Sequence, residues 1–153
     1  MRCLELKIPP VLLVILSALL MWLSQPYFPL YPLSFTMRIT VFLLMLATGF
    51  VIALIGVLAF KKAQTTVNPI KPETSSALVN IGIYKITRNP MYVGMALALI
   101  GWAFFLGNPI SLVFVVAFVL YMTYFQIKPE EKMLTKLFQQ QYIDYCKQVK
   151  RWI

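Results

Sequence analysis

The side chains able to carry chemistry in this sequence gather in two short stretches. One is Gly82-Ile83-Tyr84-Lys85-Ile86-Thr87-Arg88-Asn89-Pro90-Met91-Tyr92-Val93-Gly94, and the other is Pro129-Glu130-Glu131-Lys132. Between them they offer cations, an amide, tyrosines and a pair of adjacent carboxylates, the types that recognise a charged ligand and hold or move a proton. Histidine is absent from all 153 residues. That removes His-ligated metal sites, Ser-His and Cys-His nucleophiles, and imidazole as a proton shuttle. Each stretch also has a purely structural reading. Asn89-Pro90 suits the cap and first-turn proline of a helix, and Glu130 and Glu131 suit a first helical turn, where acids meet the positive end of the dipole.

The elements that must position these residues follow from composition. Hydrophobic residues make up 60% of the chain, charged residues 12%, and the mean hydropathy is +0.77. An ordinary soluble domain is roughly 45–50% apolar and about 25% charged, so the solvent of this chain is lipid. Fourteen Lys and Arg against five Asp and Glu give a net charge of +9. These charges cluster between long uncharged stretches, which reads as membrane topology and attraction to anionic lipid, not as nucleic-acid binding.

Four uncharged segments read as membrane spans of a single domain, 1–153. The first, 8–24, follows Arg2 and Lys7 and carries Pro9 and Pro10 in its first turn. It resembles a secretory signal, but no small-residue cleavage site follows, so a retained span is expected. Residues 26–32 (PYFPLYP) suit a turn at headgroup level. The second span, 39–60, reaches about 33 Å at 1.5 Å per residue and ends at Lys61-Lys62. Residues 89–127 carry no charge and as one helix would measure about 58 Å, far beyond a core of about 30 Å. Gly107-Asn108-Pro109 divides them into a helical hairpin, 91–106 and 110–127.

The expected fold is therefore all-α, a polytopic membrane protein of four helices with a basic cytoplasmic loop, 61–90, and a cytoplasmic tail, 128–153. The positive-inside bias puts both termini in the cytoplasm, at the inner membrane if the source is bacterial. In the tail, Met133, Leu134, Leu137, Phe138, Tyr142, Tyr145 and Val149 recur at three- and four-residue spacing, the pattern of an amphipathic helix. Cys3 and Cys146 both lie on this reducing side, which argues against a disulfide. Gly49 and Gly56 share a face of the second span, and with Gly94 and Gly101 they permit close helix contacts, within one chain or between chains. Oligomeric state stays open. A small transporter or membrane scaffold is the competing class, but no span holds the ionisable group that proton-coupled carriers use.

The hairpin brings both chemical stretches to one end of one helix pair, and their order carries a resemblance. Gly-x-Tyr-x-x-x-Arg-Asn-Pro-x-Tyr-x-Gly over 82–94, then Gly101-Trp102, Asn108-Pro109, Glu130-Glu131, and Phe138 with Tyr142 and Tyr145, resembles the isoprenylcysteine carboxyl methyltransferase superfamily. These are integral-membrane methyltransferases, with phospholipid methyltransferases among their relatives. The resemblance runs from about Asn68 onward. It implies that S-adenosylmethionine is enclosed by the hairpin and tail on the cytoplasmic side, while a lipophilic acceptor enters from the bilayer. By position, Ser76, Ala77, Leu78, Val79, Tyr84, Asn89, Pro90, Met91, Tyr92 and Glu130 correspond to cofactor contacts. Aromatic faces and a carboxylate suit a sulfonium, ribose hydroxyls and an ammonium. Arg88 and Glu131 are the candidates for a catalytic role, and Gln126 falls on the acceptor side.

Two positions depart from the family pattern. Where it usually reads Arg-His-Pro, this chain has Arg88-Asn89-Pro90, which keeps a donor and an acceptor but loses the titrating ring. Gln126 stands where the isoprenylcysteine enzymes carry an arginine, and an amide lacks the charge and fork that grip a carboxylate. The acceptor is thus left open between a prenylcysteine-like carboxylate, another lipid and a hydrophobic thiol. A member that binds the cofactor without turning it over also stays open.

Overall fold

The structure, a computed structural model, describes residues 5–28, 32–63 and 78–153. Among them no strand forms, and five α-helices carry the architecture. Helix α1 (Pro10–Ser24) opens on proline, where a missing amide donor costs least, and runs on into a 3-10 turn, Gln25–Tyr27. Helix α2 (Phe35–Lys62) begins before the expected Ile39 because the Ser34 hydroxyl caps it, accepting from the Met37 amide at 3.3 Å. It ends on Lys61 and Lys62, cations at the negative end of the dipole.

Helix α3 (Pro90–Leu106) stops at Gly107, whose φ of +67° is a left-handed cap that glycine adopts without strain. The hairpin turn follows, with the Asn108 side chain accepting from the Ile110 amide at 2.9 Å. Helix α4 (Ser111–Tyr121) passes through a wider π-helical segment, Met122–Ile127, directly into α5 (Lys128–Gln148). The expected boundary between fourth span and tail is therefore a change of polarity inside one continuous helix. Among the described residues three helices are long and apolar enough to cross a membrane, within Pro10–Tyr27, Phe35–Lys62 and Ser111–Gln148; Pro90–Leu106 is apolar but shorter. This is a membrane protein.

The shorter helix is central. Tyr92, Ala96, Leu99, Ala103 and Leu106 of α3 are buried, α2 packs along its length, and α1 and α4 cover the remainder. Covered over most of its surface by these helices, α3 needs no polar stripe. The outward residues of α2, such as Leu44, Phe50 and Leu58, stay exposed and form a lipid-facing surface. Antiparallel contact between α2 and α3 is set by small residues. A Cβ at Gly49 or Gly94 would run into the other's carbonyl, and one at Gly101 would lie 2.8 Å from the Met45 Cβ. At the far end the Arg38 guanidinium donates to the Phe105 carbonyl, with its Nε at 2.8 Å, and closes the end of α3 against Gly107.

The tail departs from a straight amphipathic helix. Gln139 has φ +45° and ψ −123°, which breaks α5, and such a sparsely populated conformation at a non-glycine residue costs about 1–3 kcal/mol. Beyond it Tyr142, Tyr145 and Val149 are buried with Leu78, Leu134 and Phe138 beside them, while Leu137 is exposed. The break turns the chain back, so that Lys150 bridges to Thr87.

Gly94→Ala is expected to force α2 and α3 apart and to destabilise the protein by about 1–3 kcal/mol, the usual cost of overpacking. Thermal unfolding in detergent measures it. An unchanged Tm would mean that the helices do not meet at this glycine.

Candidate active site

At the Pro90 end of α3, the two carboxylates of α5 face different partners. Successive residues on a helix point about 100° apart, so adjacent acids cannot share one environment. Glu130 turns toward α3, where the Tyr92 hydroxyl donates to its Oε1 at 2.6 Å. Gln126, one turn earlier and 2% exposed, donates its amide to the same oxygen at 2.5 Å. The other carboxylate oxygen of Glu130 has no hydrogen bond among the described residues. Gln126 lies in the π-helical segment, whose Phe125 carbonyl accepts the Leu6 amide at 3.0 Å. Such a wider turn shifts the register of one helix without ending it.

Glu131 turns toward the returning tail. Its Oε1 lies 3.0 Å from the Arg88 guanidinium, and Arg151 grips both its oxygens, at 2.9 and 2.7 Å. Arg88 also contacts the Cys146 thiol. Asn89 caps no helix with its side chain; its amide donates instead to the Arg151 carbonyl at 2.8 Å. The Arg88 amide meets the Lys150 carbonyl at 3.1 Å. Trp152 reaches across to donate to the Thr123 hydroxyl at 3.0 Å and packs against the core around Tyr92 and Ile127. Arg-Asn of the first stretch, the acid pair of the second and residues 150–152 therefore form one cluster.

The remaining expected site residues divide. Tyr84 is buried, its ring edge-on to Phe60 at 5.4 Å, its carbonyl accepting from the Tyr145 hydroxyl at 2.6 Å. Its own hydroxyl is buried without a partner among the described residues. Val79 is buried and Leu78 packs on Tyr142 and Tyr145. Pro90 and Met91 are spent largely on helix packing, lying against Gly56 of α2. Ser76 and Ala77 fall outside the described residues. Sequence reasoning missed Arg151, Trp152, Thr123 and the Arg88 contact of Cys146. The only trace of Arg151 in the sequence is a guanidinium in an end otherwise rich in lysine, and no spacing rule links it to a carboxylate 20 residues earlier.

Burial raises the Glu130 carboxyl to about 7 from its ordinary value; hydrogen bonds from Tyr92 and Gln126 oppose the rise and the neighbouring Glu131 charge adds to it. Burial likewise pushes the Tyr84 and Tyr145 hydroxyls up, so both stay protonated donors.

Residues 37–141, more than half of the chain, match the family described as phospholipid methyltransferase. The chain belongs to that family. A protein-S-isoprenylcysteine O-methyltransferase of Saccharomyces cerevisiae is 39% identical over 80 residues, covering 52% of this chain and 33% of that protein. The protein-S-isoprenylcysteine O-methyltransferase B of Arabidopsis thaliana is 30% identical over 110 residues, 70% of this chain and 54% of that one. An uncharacterised protein of Haemophilus influenzae is 36% identical over 63 residues, 41% of this chain and its own whole length. The chain spans about half or less of the length of the methyltransferase relatives it matches. The resemblance read from residues 82–94 and 130–131 is thereby supported by the family match and by these relatives.

The raised Glu130 carboxyl has a sign that can be measured. With a folded-state pKa above the unfolded one, Glu130 favours the folded protein at pH below the ordinary carboxyl value, and this contribution is lost as pH rises through about 7. The Tm of the protein relative to its Glu130→Gln variant is expected to fall between about pH 5 and 8. A difference that stays level across that range would contradict a raised carboxyl.

Proposed function

We propose that this chain is an integral-membrane methyltransferase that uses S-adenosylmethionine to methylate a lipophilic acceptor at the cytoplasmic face. The observation that carries the reading is the Tyr92–Glu130–Gln126 cluster beside the Arg88–Glu131–Arg151 cluster, in a chain of this family. In this reading 1–153 is a single domain crossing the bilayer four times, with both termini on the cytoplasmic side. The relatives named as protein-S-isoprenylcysteine O-methyltransferases support a lipophilic acceptor.

The residues present fit such a cofactor. A half-buried carboxylate, one of whose oxygens has no donor among the described residues, offers an acceptor for an ammonium or a ribose hydroxyl. The buried Tyr84 hydroxyl is a donor without a partner among the described residues. Glu130, Tyr92, Tyr84 and Asn89 would hold the ligand, with Leu78 and Val79 as apolar wall. When bound, S-adenosylmethionine supplies a methyl group already activated on a sulfonium. The work left to the protein is alignment and exclusion of water, and orientation alone provides up to about 7–11 kcal/mol of barrier reduction. A carboxylate acceptor is ionised at neutral pH and needs no base. A thiol acceptor would lose its proton to Glu130, whose raised carboxyl is matched to that task. Arg88 and Glu131, being paired with one another, act in this reading by positioning, and Gln126 sets the state of Glu130 from the acceptor side.

The test is a binding isotherm and a label-transfer assay in detergent, with radioactive S-adenosylmethionine and a panel of prenylated thiols, amino phospholipids and small hydrophobic thiols. Saturable binding is expected, weakened roughly tenfold or more by Glu130→Ala and by Tyr92→Ala, as for other truncations of a buried, charge-assisted contact. Binding should strengthen as pH rises through about 7, as Glu130 becomes a carboxylate. Absence of any binding signal with the cofactor or its demethylated product would remove the reading.

A further inference from the structure

Residues 150–152 make contacts that a solvated tail would not. Arg151 closes a bidentate fork on Glu131, at 2.9 and 2.7 Å, while its backbone carbonyl accepts from the Asn89 amide at 2.8 Å. The Thr87 hydroxyl lies 3.5 Å from that same carbonyl, the Lys150 carbonyl takes the Arg88 amide, and Trp152 is pinned to Thr123 of the π-helical segment. A straight α5 would put Arg151 about 30 Å from Glu131, so the break at Gln139 exists at a cost in backbone strain. The fork is aimed at the acid adjacent to the proposed ligand-binding Glu130, and the carbonyl at the residue that opens α3.

We propose that Arg151 is a positioning residue of the cofactor site, whose fork on Glu131 holds residues 150–152 across the mouth between α3 and the π-helical segment and so slows departure of the bound cofactor. This rests on the S-adenosylmethionine reading. Glu131 is shared between Arg88 on the α3 side and Arg151 on the tail, which makes it the joint between the two walls of the site. Arg151 also acts on Glu130 at one remove. Glu130 is faced by Tyr92 of α3, by Tyr84 of the turn before it, and by Gln126 and Glu131 on its own helix. Of these, Glu131 carries a negative charge, and Arg88 and Arg151 are the cations that neutralise it. Removing one of the two exposes Glu130 to more of that charge, which favours its protonated form.

The experiment measures the equilibrium and dissociation rate of S-adenosylmethionine on the full chain in detergent, for the wild type, Arg151→Gln and Arg151→Lys. Arg151→Gln keeps the backbone bonds to Asn89 and Arg88 and removes only the fork. It is expected to speed dissociation and weaken binding roughly tenfold, with the pH midpoint of binding moved upward. Arg151→Lys, which restores the charge without the fork, should return the pH midpoint while leaving dissociation fast. Glu131→Gln combined with Arg151→Gln should be no worse than Glu131→Gln alone, because the two side chains act through one contact. Wild-type binding with an unchanged dissociation rate in both Arg151 variants would overturn the positioning role alone. A variant with a lowered Tm but an unmoved pH midpoint and rate would assign Arg151 to stability and overturn it as well. Wild-type protein that bound no cofactor would remove the cofactor reading and this role with it.

Discussion

Two adjacent acids at the edge of an apolar helix face a constraint that shapes everything around them. Ionised side by side in a partly dehydrated site, they would repel one another and each would lack its water. The protein resolves this by direction. Glu131 points to the side where two guanidiniums arrive and accepts charge-assisted bonds from both. Glu130 points inward to neutral donors, a phenol and an amide, and its carboxyl titrates near neutrality. Neither state would persist alone: Glu131 without its cations would drive Glu130 further toward the proton, and a cation beside Glu130 would fix its charge. The break in α5, the return of residues 150–152 and the burial of Tyr92 all serve this division.

The division requires that Arg88 and Tyr92 sit at a defined height beside Glu130 and Glu131, and that height is set well away from the site. Antiparallel α2 and α3 meet through glycine at Gly49 and Gly94, with Gly56 against Pro90 on one side and Gly101 against Met45 on the other. Such contacts do not tolerate a slip, since a displaced helix would bring side chains onto backbone. Arg38 fastens the opposite end by closing the last turn of α3, where orphan carbonyls and a negative dipole end welcome a cation. An arginine at the edge of a span thus has a structural use, which fits its position in the first turn of α2.

The apolar helices, the hairpin and the clustering of 82–94 with 130–131 were legible because each depends on local quantities: uncharged length, a Gly-Asn-Pro turn and a shared end of one helix pair. The role of residues 150–152 was not, because it depends on the break at Gln139. Periodicity from Met133 to Val149 continues through that residue without interruption, and nothing in a glutamine announces a positive φ. Likewise, which acid of the pair Tyr92 would meet was a matter of helical phase across the π-helical segment, which shifts the count.

The two departures from the family pattern take on physical meaning together. Gln126 occupies a place one turn before Glu130, where an arginine would be near enough to pair with that carboxylate and hold it ionised at all working pH. The amide instead donates without charge, so Glu130 keeps a carboxyl that responds near neutrality. Asn89 removes the other group that would titrate in that range and turns its amide to the Arg151 carbonyl, which needs a donor of fixed protonation to stay tethered. One substitution thus leaves pH sensitivity to Glu130, and the other keeps it from the tether. In the proposed methyl transfer, a site built this way would suit an acceptor whose own reactive group arrives already ionised, or one whose single proton has a single place to go.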